Sequence, residues 1–169
     1  AVENNIQDNN ENRLAVNGYL NYDISKDLVF NSSAGIIKAD AHNNSYNPFI
    51  TSSIGIANVR NIYSTKLFNT NRLTYTKDIN EKNNIKVDVI QESVNERFDN
   101  TLIYASNFFT DLVSYNDLTV ASVYKVSNSP QSRQLNSDLG RINYSLLDRY
   151  LLTLSYRADG TSVFQKDKW

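Results

Sequence analysis

Residues 14–24 read LAVNGYLNYDI, and their phase decides the fold. Leu14, Val16, Gly18, Leu20, Tyr22 and Ile24 fall on one face, and Ala15, Asn17, Tyr19, Asn21 and Asp23 on the other. Period-two alternation over about eleven residues predicts a strand longer than the ~5–6 residues usual in globular proteins. Asn17-Gly18 is a hairpin signal in its own right. The apolar phase runs through it unbroken, which favours a single strand.

Working outward, residues 1–12 are polar and aperiodic and read as a loop. Ser25-Lys26-Asp27 is a tight turn into a second strand, whose apolar face carries Leu28, Phe30, Ala34 and Ile36. Residues 39–66 are rich in Asn and Ser and contain Pro48, which predicts a long loop. A third strand is expected over Phe68–Lys77, with Leu73 and Tyr75 on one face. A short turn at Asp78–Asn84 leads to a fourth, where Ile85, Val87 and Val89 alternate with Lys86 and Asp88. A second long loop is expected over 101–132. The fifth strand covers Gln134–Ser145, a turn Leu146–Arg149, and the sixth Tyr150 to Phe164.

Short turns thus alternate with long loops. That asymmetry follows from an up-and-down antiparallel sheet whose two ends face different compartments, as in a transmembrane β-barrel of bacterial outer membranes. Tyr22, Tyr75, Tyr144 and Tyr150 fall on the apolar face near short turns, where an interfacial girdle of phenols would lie. Tyr is also simply a good strand former. The expected fold class is all-β, an antiparallel up-and-down transmembrane β-barrel segment of about six strands.

Composition bounds the rest. The 169 residues carry a net charge of -1, one His, no Cys and no Met. The balance of charge lacks the basic excess of a nucleic-acid-binding protein. Without Cys there is no disulfide framework and no thiol nucleophile. The chain starts at Ala1, so it is expected to be a processed chain or an internal fragment. No apolar run reaches the ~18 residues of a membrane helix, which leaves barrel strands of ~9–11 residues open.

The C-terminal stretch carries a specific pattern: GRINYS at 140–145, DRYLLT at 148–153, RADGTS at 157–162, then Phe164. In this order and spacing it resembles the SusC/RagA family of TonB-linked outer-membrane transporters of Bacteroidota. LVFNSSAG at 28–35 and Leu73-Thr74-Tyr75 resemble earlier barrel strands of that family, and the pattern is departed from at Leu146, Thr161 and Val163. The resemblance implies that residues 1–169 are part of a barrel of about 22 strands. A plug domain and a TonB-binding segment are not recognisable in them. It also implies active import of oligosaccharides or peptides across the outer membrane, with a SusD-like surface lipoprotein as lid and TonB as the energy source. A secreted, glycan-binding β-sandwich is the rival reading. It would pack its apolar positions on a second sheet.

No catalytic, cofactor-binding or metal-binding set emerges, and an enzyme is not expected. His42 reads as a surface loop histidine, and Glu92 and Glu96 as solvated rim charges. Arg141, Arg157 and Asp159 share the lumen phase of adjacent strands. They are candidates for contact with plug or solute, or for a pairing within the wall. Tyr46, Phe49, Tyr104, Phe108, Phe109 and Tyr115 stand on the two expected extracellular loops. They are candidates for contact with lid or solute, or for packing within the loops.

Overall fold

A computed structural model describes residues 5–163. It contains seven strands: β1 (Ile6–Asp23), β2 (Leu28–Asn47), β3 (Ile56–Asn80), β4 (Asn83–Phe108), β5 (Ala121–Asn128), β6 (Gln131–Leu146) and β7 (Tyr150–Thr161). A one-turn helix α1 (Phe49–Ser52) and a 3-10 turn (Leu118–Val120) interrupt them. All seven strands belong to one sheet in the order β1-β2-β3-β4-β6-β7, and β5 pairs with β4 as well. Since β3 occupies one edge of β4, β5 and β6 share the other. Pro130 separates the two, because it has no N–H to donate to the ladder. The neighbouring Ser129 N–H still donates to the Asn100 carbonyl at 2.9 Å. Asn17-Gly18 lies inside β1, so no hairpin forms there. Phe164, the expected end of the last strand and of the motif, lies outside the described residues.

The strands are longer than expected, and this corrects three readings. β1 begins at Ile6, within the segment read as a loop over residues 1–12. Of residues 39–66, only 48–55 lie outside strands, and of residues 101–132 chiefly 109–120 do. These stretches carry Asn and Ser on both faces, so alternation gives no signal, and the backbone ladder alone holds them extended. β3 and β4, with 25 and 26 residues, far exceed the ~9–11 that a crossing requires.

Two compact units can be distinguished. The first comprises Ala1–Leu14, Ile37–Thr65 and Arg97–Gln131. It has a small apolar core of Tyr46, Ala57, Ala105, Phe108 and Ala121, with Phe49, Tyr115, Leu118 and Val120 packed against it. The Tyr46 and Phe108 rings meet edge to face, with centroids 5.1 Å apart. Gly55 is required here twice over. Its φ is +59°, and a Cβ would stand 2.9 Å from the Tyr46 hydroxyl and 3.1 Å from the Phe108 Cβ.

The second unit comprises Ala15–Ile36, Lys66–Glu96 and Ser132–Trp169. Its polarity is inverted. The buried side chains are Asp88 (3% exposed) and Ser137 (1%), while Leu20, Tyr22, Val89, Leu152, Leu154 and Tyr156 are exposed. The β6–β7 register sorts the two faces. Tyr144 stands opposite Leu152, Ile142 opposite Leu154 and Gly140 opposite Tyr156. Between them, Asn143 opposes Thr153, Arg141 opposes Ser155 and Ser137 opposes Asp159. One face is therefore aliphatic and aromatic, the other polar. On the polar side the Thr153 hydroxyl donates to Asn143 Oδ1 at 2.9 Å. Tyr144 and Tyr150 lie on the apolar face beside the turn at 147–149, as expected of them. In that turn Leu147 and Asp148 both have positive φ, +57° and +51°, and the Arg149 N–H closes on the Leu146 carbonyl at 3.1 Å. Consecutive left-handed residues match the twist of a hairpin.

Candidate functional site

The polar face of the second unit is built from ion pairs between strands. Arg72 of β3 donates through Nε at 2.9 Å and Nη2 at 2.7 Å to Asp88 of β4, and the Thr74 hydroxyl donates to the same oxygen at 2.7 Å. Asp88 is thereby satisfied although buried; its burial without partners would cost several kcal/mol. The sequence reading missed this pair, and the only available signal was an acid in the polar phase of an otherwise Val/Ile strand. Arg157 of β7 makes a second cluster. Its Nε donates to Asp159 at 2.8 Å, and its Nη2 donates to the Ser137 hydroxyl at 3.1 Å and to Glu92 of β4 at 3.3 Å. The guanidinium thus lies along the wall, over the fully buried Ser137, and reaches across β6. A third pair joins Lys66 to Glu96 at 2.8 Å.

Glu92 and Glu96 are accordingly ion-paired on strand β4, which replaces the reading of them as solvated rim charges. Of the trio expected to act together, Arg157 and Asp159 touch. Arg141 opposes Ser155, is exposed, and stands in no ion pair among the described residues. A shared phase does not suffice here: Arg141 is four positions along β6–β7 from the Ser137–Asp159 rung.

The six aromatics separate by burial. Tyr46 is 1% exposed and Phe108 4%. Both are core residues of the first unit, which is the packing alternative and not contact with a lid or solute. Packing of a small extra-strand unit needs rings, and these two are the largest apolar groups at its centre. Phe49 and Tyr115 are half-buried against the same core. Tyr104 is half-buried on β4 and lines a groove, whereas Phe109 is 81% exposed at the 109–117 loop. His42 sits within β2 instead of a loop, with Nδ1 2.7 Å from Asn61 Oδ1 and its ring edge-on to Tyr63.

Asp111 was not foreseen from the sequence, yet it organises both irregular segments. Its Oδ1 accepts from the Tyr46 hydroxyl at 2.6 Å and from the Phe49 N–H at 3.2 Å. Burial, and then the Asp111 carboxylate, push the Tyr46 phenol above its usual pKa. The Phe108 N–H donates to the Ile54 carbonyl at 3.1 Å, a second tie between the same segments. Asp117 caps the 3-10 turn by accepting from the Thr119 N–H at 2.9 Å; the Thr119 hydroxyl and amide hold its carboxyl below the usual range. Nothing in residues 109–117 distinguishes Asp111 from other loop acids until the fold brings Tyr46 to it.

No family model matches the chain. A TonB-dependent receptor, P26, of Formosa agariphila is 26% identical over 162 residues, covering 88% of this chain and 16% of that protein. Among solved structures, the RagAB peptide transporter superposes with a TM-score of 0.85 at 19% identity, over 96% of this chain and 19% of the other. The RagAB peptide importer in its closed-closed and open-open states gives TM-scores of 0.81 and 0.80, again over 96% and 19%. The chain spans less than a fifth of the length of each of these relatives. All described strands form one sheet, so the second sheet that a β-sandwich would need is not found among the described residues. The chain therefore has the fold of an antiparallel outer-membrane β-barrel segment of the RagA type and is similar in sequence to a TonB-dependent receptor.

Proposed function

We propose that the protein to which this segment belongs is an active importer, taking up oligosaccharides or peptides through TonB with a SusD-like lipoprotein as lid. It works as a carrier and not as an enzyme. Plug and TonB-binding segment belong to the longer protein of which this chain is a part, and the first unit forms its extracellular rim. One observation carries the reading: the second unit buries Asp88 and Ser137 and exposes Leu152, Leu154 and Tyr156, the reverse of a water-soluble sheet. Lipid on one face and an aqueous lumen on the other account for that inversion. The names of the relatives, a TonB-dependent receptor and peptide importers, supply the transport step.

The test uses the full-length protein in its own cells. It is expected in the outer-membrane fraction, and its migration in SDS gels should shift on boiling. Deletion of its gene, or of its TonB, should abolish uptake of a labelled oligosaccharide or peptide mixture. Recovery in the soluble fraction, or uptake that persists in both deletions, contradicts the reading.

A further inference from the structure

The apolar face of the second unit is notched. Gly140 puts no side chain there, and a Cβ built on it would meet nothing within 4 Å. Val87 and Val89 of β4, Ile142 of β6, and Leu154 and Tyr156 of β7 stand round the gap, which holds about 350 Å³. The residues between them in sequence, Asp88, Arg141 and Ser155, send their side chains to the polar face. The notch is thus lined by aliphatic groups and one phenol ring.

The turn end of the same face carries a cation. The Arg149 guanidinium lies over the Tyr150 ring, 5.8 Å from its centroid, and is exposed. Arg149 stands in no ion pair among the described residues. The carboxylates of that end, Asp78, Glu81 and Asp148, line a separate recess that Arg149 does not enter. From Tyr150 the notch begins four residues on, at Leu154, and ends six residues on, at Tyr156. Those are ~13 and ~20 Å along the strand. At a strand tilt of ~35–45° they become ~10 and ~15 Å of depth. One leaflet contributes ~15 Å to a hydrocarbon core of ~30 Å. A chain hung from a headgroup at Arg149 therefore reaches the notch within its own leaflet.

We propose that this track seats one glycerophospholipid of the periplasmic leaflet. Its phosphodiester rests on Arg149, and one acyl chain runs past Leu152 into the gap over Gly140. Short turns of bacterial barrels face the periplasm, which sets the leaflet. Charge complementarity sets the occupant: an anionic headgroup on a hydrocarbon chain satisfies both ends of the track, and a neutral lipid only one. The inference rests on the reading that this face meets lipid. It adds a position at which one lipid is held in preference to its neighbours.

The test offers the full-length protein in detergent dipalmitoyl phosphatidylglycerol and dipalmitoylglycerol, and counts retained lipid by mass spectrometry of the intact protein. The native protein is expected to hold the phospholipid about fivefold tighter than the diacylglycerol, the ratio for roughly 1 kcal/mol. Arg149→Gln should bring the two lipids to equal retention. Gly140→Leu, which fills the notch, should weaken both alike. Should Gly140→Leu lose its boiling shift and so prove misfolded, labelling of the native protein decides. In vesicles, phosphatidylglycerol with a photoreactive chain end should mark 140–142 and 154–156 well above Leu20. That residue is exposed on the apolar face of β1, at a similar distance from the turn at 25–27. Equal retention of the two lipids by the native protein, a preference surviving Arg149→Gln, retention unchanged in folded Gly140→Leu, or labelling as strong at Leu20 as at the notch each overturn the seat. Even labelling of a membrane-embedded protein leaves the barrel standing while the seat falls; recovery in the soluble fraction takes both.

Discussion

Asp111 holds the hydroxyl of the buried Tyr46 at 2.6 Å and so joins the two irregular segments of the chain. Asp111→Ala should leave that hydroxyl and the Phe49 N–H without their partner, at a cost of ~1–3 kcal/mol. Proteolysis of intact cells should then cut within 48–55 and 109–117, with the boiling shift of the barrel unchanged.

The same pair predicts a pH dependence. The Tyr46 pKa is raised in the folded protein, so the protonated phenol is the form that stabilises. Its contribution is complete below the ordinary tyrosine value of about 10 and is lost as pH rises through the elevated folded value. The protection factors of the 48–55 amides, that is exchange corrected for its base catalysis, should therefore hold to about pH 10 and fall above it. In Tyr46→Phe that component of the fall should be missing.

The inverted faces of β7 predict a position-by-position contrast. Leu152→Lys or Leu154→Lys should cost ~2–4 kcal/mol in urea unfolding from lipid vesicles if the site lies near the midplane. Thr153→Lys, on the face shared with Asn143, should be mild. Equal losses at 153 and 154 would mean that the two sides of the wall are not what they are taken to be.

Arg72 and Asp88 predict non-additivity. Removing the arginine alone, Arg72→Leu, strands a nearly buried carboxylate and should destabilise by ~1–3 kcal/mol. The double variant Arg72→Leu with Asp88→Leu should recover part of that loss, because no charge then remains unpaired. The same urea series measures both.

Phe109 separates surface from core among the loop aromatics. On the proposed import reading, Phe109→Ala, at an 81% exposed position, should reduce recovery of a SusD-like lipoprotein with the tagged full-length protein, without altering the boiling shift. Phe108→Ala should lower stability first, by ~3–5 kcal/mol, as core aromatic truncations do.

Where one face of a strand is apolar, the sequence was readable. Leu14 to Tyr22 and Tyr150 to Tyr156 alternate because hydrocarbon and water impose opposite demands on successive side chains, and both lie in strands as expected. The extension of β2 through His42, Asn44 and Asn47 was not readable, because polar residues on both faces leave no period. The site divides in the same way. Arg157 and Asp159 share a phase and a rung neighbourhood, so their contact could be anticipated. Tyr46 with Asp111, 65 positions apart, depends on how two irregular segments fold together, which no local pattern encodes. The burial of Phe108 beside the exposure of Phe109 is of that kind too.

Every strand in this sheet pairs with one next to it in the sequence, with β5 and β6 sharing a single edge of β4. Each hairpin can therefore zip up outward from its own turn, although the outer rungs of strands this long join residues tens of positions apart. The cost of closing each hairpin grows only slowly with the length of its connection, by about 0.6 kcal/mol per doubling. Segments such as 48–55 and 109–120 can lengthen at little entropic cost, provided that Gly55 and Asp111 keep their places. The register beneath them, and the inversion of polarity that suits it to lipid, would be left untouched.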